Sequence, residues 1–165
     1  FFFKQKTAYE ILTCDWSSDV CSSDLKDLSL EIPNAPQVFG ERETPKIDIS
    51  LRNDARALEA GVYEVVLTST ITAKARDRTV FLVEAAQAGI FQLRNFPQDQ
   101  LEHALHVFCG TVLFPYLRET VSSVVARGGF PPFFMDHVSF EQLYAERLQA
   151  QQQQQQSTDG GAPRG

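Results

Sequence analysis

No stretch of the 165 residues approaches the roughly 18 consecutive apolar positions that a membrane-spanning helix requires. No direct insertion into a membrane is expected. Positive charge is also scarce, with 15 Lys and Arg against 21 Asp and Glu, a net charge of −6. That balance argues against nucleic acid as the main partner, because phosphate contacts need clustered basic side chains, and it suits a basic partner instead. Cysteine is sparse: Cys14, Cys21 and Cys109 form neither a Cys-x-x-Cys pair nor an even framework, which excludes a disulfide scaffold. Phe1 to Phe3 followed by Lys4, Gln5 and Lys6 reverses the charge-first order of a secretory signal, so a cytoplasmic protein is expected. Missing too are a Gly-rich phosphate loop of either common form and a Gly-x-Ser-x-Gly elbow, which removes the usual motifs of ATP-driven and esterase chemistry.

The remaining candidates for chemistry are weak. His103 and His106 lie three apart in Glu-His-Ala-Leu-His and lack the intervening Glu of a zinc-protease helix, so they read as two surface histidines on one helical face rather than metal ligands. Cys109 follows an aromatic residue on an apolar helix, which suggests buried packing rather than a nucleophile. Asp27 and Glu31 share a strand face about 13 Å apart, at about 3.3 Å per residue, too far to share a proton. No enzyme, metal or cofactor is expected.

The length supports one domain with a substantial core. Residues 1–25, FFFKQKTAYEILTCDWSSDVCSSDL, show neither a helical nor a strand period. They resemble the translation of sequencing-adapter DNA and are read as an artefactual or disordered extension. From Lys26 the pattern sharpens. Leu28, Leu30 and Ile32 alternate with Asp27, Ser29 and Glu31 as in a half-buried strand, which Pro33 and Pro36 end. A second short strand spans Lys46 to Leu51, and Val62 to Ala73 with Thr79 to Gln87 form a hairpin across a polar turn. In its last strand Phe81, Val83 and Ala85 face one way, while Leu82 and Glu84 face the other. Both faces carry apolar residues, so both need a cover, by helices on one side and by another copy of the chain on the other.

From Pro97 the period becomes helical, predicting one helix ending near Gly110 and a second starting at Pro115 and stopping at Gly128 and Gly129. Ser139 and Gln142 have capping-box spacing ahead of a last helix with Phe140, Leu143, Tyr144 and Leu148. Residues 149–165 read as a disordered Gln-rich tail. Strands first and helices last predict an α+β fold with a four-stranded antiparallel sheet and C-terminal helices.

Five segments carry a resemblance: KDLSLEIPNAPQVF (Lys26 to Phe39), YEVVLTSTITA (Tyr63 to Ala73), FLVEAAQAGIF (Phe81 to Phe91), LFPYLRETVSSVVARGGFPP (Leu113 to Pro132) and VSFEQLY (Val138 to Tyr144). In order and spacing they resemble the SecB family of protein-export chaperones along essentially its whole length, which makes residues 26–148 the chaperone domain. The resemblance implies an ATP-independent holdase that binds unfolded precursor proteins and delivers them to SecA, working as a homotetramer built as a dimer of dimers. The family's SecA-contacting positions fall on Asp27, Glu31, Leu82 and Glu84. Its client grooves would here be lined by Ile47, Ile49 and Leu51 with Phe140, Leu143, Tyr144 and Leu148. Phe81, Val83, Ala85 and Gln87 match positions that the family buries between subunits. A SecB-like chaperone serving a toxin-antitoxin pair or another non-export client would keep fold and grooves, and the matching SecA positions argue against it. The sequence departs from the family ahead of Lys26, where residues that normally continue the first strand are replaced, and in a tail poor in acidic residues.

Overall fold

The computed structural model describes residues 17–40 and 43–159; residues 1–16 of the expected extension and 160–165 of the expected tail lie outside the described residues. Four strands come first: β1 (Ser17–Glu31), β2 (Lys46–Glu59), β3 (Val62–Ala75) and β4 (Arg78–Arg94). They form one antiparallel sheet in the order β1-β4-β3-β2. The helices follow as α1 (Gln98–His103), a π-helical segment (Ala104–Phe108), α2 (Cys109–Arg127) and α3 (Phe140–Asp159). The α+β arrangement expected from the sequence is the one observed.

Register assigns the faces. Val83 pairs with Ile71 and Leu30, and Ala85 with Ser69 and Leu28, so these side chains share one face. That face is packed by α2: a Cβ on Gly89 would lie 2.9 Å from Leu113 Cδ2, and one on Gly128 would lie 2.7 Å from Leu30 Cδ2. A Cβ on Gly110, at the other end of α2, would lie 2.7 Å from Phe140 Cδ1 and 3.0 Å from Asn53 Nδ2 of β2. The helix therefore crosses the sheet from β2 toward β1. Leu67, Ile71, Val83, Phe91, Leu113, Leu117 and Val121 are buried between the two layers.

Several boundaries differ from the sequence reading. No break occurs at Gly110, because α1, the π-helical segment and α2 run on continuously with Pro115 inside. Gly110 supplies close approach to Phe140 rather than a stop. The stop at Gly128 and Gly129 is as expected, with Gly129 at φ 89° and the Gly128 amide bonded to the Val124 carbonyl at 2.9 Å. Strand β1 reaches back to Ser17, pairing Ser23 to Leu25 with Gly89 to Gln87, so aperiodic sequence is drawn into the sheet by β4. Strand β2 continues to Glu59 through Ala, Arg, Leu and Glu residues that favour helix when alone, because pairing with β3 decides their conformation. The C-terminal helix likewise extends to Asp159, past the expected end of the domain at residue 148, as the high helix propensity of Gln allows.

On the open face an ion-pair network spans the sheet. Glu64 of β3 accepts from Lys26 of β1 at 3.0 Å and pairs with Arg56 of β2 at 2.6 Å. The hydrogen bond from Lys26, aided by the Arg56 charge, holds the Glu64 carboxyl below its usual 4.5.

Two outcomes follow from this packing. Leu117→Ala empties a fully buried position under the sheet and should cost about 2–5 kcal/mol, seen as a lower denaturant midpoint at unchanged slope. Folded Glu64 keeps its charge to lower pH than the unfolded chain does, so its contribution is complete above the ordinary carboxylate value and lost as pH falls through the lower folded one. Glu64→Gln should therefore make the thermal midpoint fall less steeply between about pH 5 and pH 3; an unchanged slope would deny the network any role in stability.

Candidate binding surfaces

The open face of the sheet gathers residues that are far apart in sequence. Glu31 pairs with Leu82, Ser29 with Glu84, and Asp27 with Ala86, so all six point to the same side. Asp27, Glu31 and Glu84 are exposed and surround a half-buried Leu82. The expectation that Asp27 and Glu31 share a side of the first strand and Leu82 and Glu84 a side of the last is met, and pairing of the two strands merges them into one patch. Thr70 and Thr72 of β3 continue the rows as Thr70↔Glu84 and Thr72↔Leu82.

The helix side holds a cleft of about 390 Å³ between β2 and α3, lined by Leu51, Asn53, Leu67, Phe140, Leu143 and Tyr144, with Arg52, Asp54, His106 and Arg147 at its margins. Four of the seven groove residues read from the sequence thus meet in one place: Leu51, Phe140, Leu143 and Tyr144. Ile47 lines a different cavity of about 480 Å³, among Val38, Phe39, Phe81, Phe130 and Phe133. Ile49 lies between them on β2, 47% exposed, and Leu148 is 36% exposed on α3. The groove residues therefore fall in two apolar hollows, with Ile49 between them on β2. Phe130 and Phe133, which line the second hollow with Ile47, could not be placed there by periodicity.

The start of α3 is fixed as the capping spacing predicts, with the Gln142 amide donating to Ser139 Oγ at 3.4 Å. Phe140 packs edge-on against Phe114 at 5.8 Å between centroids. The two histidines of Glu-His-Ala-Leu-His lie on one face, as expected, and that face meets α3. His103 Nε2 is 3.0 and 3.1 Å from the two Glu141 carboxylate oxygens, Arg147 Nη1 is 2.9 Å from His106 Nε2, and the Tyr144 ring touches both imidazoles. Their role in bracing α3 was missed from the sequence; the signal was the matching three-residue spacing of His103 and His106 with Glu141, Tyr144 and Arg147. Asn53 Nδ2 donates to the His106 carbonyl at 2.9 Å, tying the π-helical segment to β2. Among the described residues no group of three or more His, Cys, Asp or Glu side chains is arranged to hold a metal ion.

Cys109 is fully buried, and desolvation pushes its thiol well above the usual range. Phe81, Val83, Ala85 and Gln87 all lie on the helix-packed face, where Val83 and Ala85 have no exposed surface in the single chain. Gln87 is satisfied within the chain by donating to Ser23 Oγ at 3.1 Å.

Comparison with known proteins agrees with this arrangement. The family model described as "Preprotein translocase subunit SecB" matches residues 19–153. A protein-export protein SecB of Methylobacillus flagellatus is 57% identical over 127 residues, covering 77% of this chain and 81% of the relative. A second, from Dechloromonas aromatica, is 54% identical over 127 residues, covering 77% and 84%. Among solved structures, a SecB-like chaperone of Mycobacterium tuberculosis, in complex with a peptide from the HigA1 antitoxin, superposes with a TM-score of 0.62 at 16% identity, covering 73% of this chain and 90% of that one. With a family match along most of its length and relatives above half identical, the chain belongs to the SecB family.

Proposed function

We propose that this chain is an ATP-independent holdase of protein export, which keeps precursor proteins unfolded and delivers them to SecA. The observation that carries the reading is the apolar cleft between β2 and α3, lined in part by exposed Leu143 and flanked by exposed Ile49 and Leu148. A closed domain hides such residues, and here they stand beside half-buried Leu51 and buried Phe140. An unfolded segment supplies the apolar side chains that satisfy this surface, whereas a folded protein has hidden its own. Selectivity for the unfolded state then needs no nucleotide, and several weak sites acting on one long client add up through effective concentration.

We assign the open face to SecA. Three carboxylates around Leu82 fit a basic element, with charge steering its approach and burial of the leucine retaining it. The same patch favours export over an antitoxin-type client, for which nothing on the open face has an evident use. The working form is a cytoplasmic homotetramer. Val83 and Ala85 influence its assembly by setting the height of α2 over the sheet.

Native mass spectrometry of the chain with a reduced, unfolded precursor and with its folded form should show uptake of the unfolded form without nucleotide. Losing burial of one leucine or isoleucine costs about 1.5–3 kcal/mol, so Ile49→Asp or Leu143→Asp should weaken uptake about tenfold or more. Equal uptake of both forms would overturn the holdase reading. Glu31→Lys combined with Glu84→Lys should abolish binding of SecA while leaving precursor uptake intact; SecA binding that survives the double reversal would remove the open face from that role.

A further inference from the structure

Helix α3 forms one wall of the cleft, and its contacts with α1 and the π-helical segment have an unusual polarity. Glu141, Tyr144 and Arg147 lie three residues apart, about 4.5 Å per step along a helix axis, and face His103 and His106, themselves three apart. The first rung pairs an imidazole with a carboxylate and gains attraction when His103 carries a proton. The second pairs an imidazole with a guanidinium. Arg147 Nη1 lies 3.1 Å from His106 Nδ1 and 2.9 Å from Nε2, nearly equidistant from both and so against the face of the ring, and a guanidinium brings only donors and a permanent positive charge. A protonated His106 would present two donors and a positive charge to another donor and positive charge.

We propose that protonation of His106 opens the cleft, releasing the Arg147 end of α3 while the Glu141 end stays attached; this rests on the reading of the cleft as the client site. The hinge is built in. At the start of α3, Phe140 is buried against Gly110 and Phe114, the Ser139 cap holds the first turn, and His103 grips Glu141. From Ala145 to Gln153 the helix is exposed, so little apolar burial resists its departure once Arg147 is repelled.

Among the described residues, a small set of groups faces His106. Arg147 and Tyr144 approach from α3, Asp54 and Asn53 from β2 with Arg52 at the same cleft margin, and Glu102 and His103 from α1. Desolvation, followed by the Arg147 charge, depresses the His106 imidazole below its usual 6.5, against the smaller opposite pull of Glu102 and Asp54. The sign follows from that depression. Above the ordinary histidine value, docked and undocked helices both hold His106 neutral and docking is complete. As pH falls below it, the undocked form takes up the proton first, and docking weakens.

Hydrogen exchange of the full chain, without client, reads the latch independently of the holdase reading. Amides of residues 144–150, corrected for intrinsic exchange, should lose protection by up to about tenfold between pH 6.5 and pH 5.5, because one titrating group changes an equilibrium by at most tenfold per pH unit. Amides in the middle of α2 should not change. His106→Asn should abolish the pH dependence, and Arg147→Gln, which keeps a donor without the charge, should reduce it. Protection that is equal at both pH values in the parent, or that falls equally in His106→Asn, would overturn the proposal. Precursor uptake at the two pH values then tests the cleft assignment on its own.

Discussion

Strict alternation along β4 is the constraint on which the rest of the molecule depends. This strand is central, paired with β1 on one side and β3 on the other, and its 17 residues set the register of both neighbours. A slip of one residue would exchange every pair of neighbours across the sheet. Val83 and Ala85 would turn outward, and Leu82 and Glu84 would be forced beneath α2. The second half of that exchange is the more costly, since Glu84 would be buried with no cation among its new neighbours. The acidic patch therefore acts as a register mark as well as a surface, with Glu84 excluded from the core by its own charge.

Coverage of the sheet is uneven, and the unevenness creates the cleft. One helix crossing obliquely from Asn53 of β2 to Leu30 of β1 can seal β3 and β4, but it leaves much of β2 open. The chain closes that gap only partly, with α3 over Leu51 and with the aromatic segment after Gly129 over Ile47. Gly110 governs the first of these closures. Any larger side chain there would strike Phe140 and lift the start of α3, so a residue that looked like a helix stop is the seat of α3. The π-helical segment contributes at the same point, since the His106 carbonyl is met by Asn53 rather than left to the helix alone.

Local pattern made much of this legible. Alternation gave the faces of β1 and β4, the hairpin followed from β-branched residues around a polar turn, and Ser139 with Gln142 marked the start of α3. What escaped the sequence depended on tertiary pairing. Residues 52–59 favour helix by composition and are strand because β3 is their partner. Ser17 to Leu25 lack a period because β1 is an edge strand whose pairing is supplied by β4. Helical periodicity keeps Phe140, Leu143 and Tyr144 together on α3, whereas Ile47 and Leu51, on one face of β2, line different hollows, which strand alternation does not foretell. Phe81, Val83, Ala85 and Gln87 were recognised as a buried face, but sequence alone does not distinguish burial by the chain's own helix from burial by a neighbour.

The two surfaces lie on opposite sides of one sheet, which limits how they can influence each other. Side chains alternate across a single layer of backbone, so Leu82 and Val83 are neighbours in sequence yet belong to different environments. A contact that draws Leu82 outward would act on the core through the position of β4 and hence on α2 above it. From α2 the path to the cleft is short: Gly110 carries Phe140, and Phe140 begins the wall formed by Leu143 and Tyr144. A displacement on the open face can therefore reach the helix side as a shift in the seating of α3, which is exposed from Ala145 to Gln153.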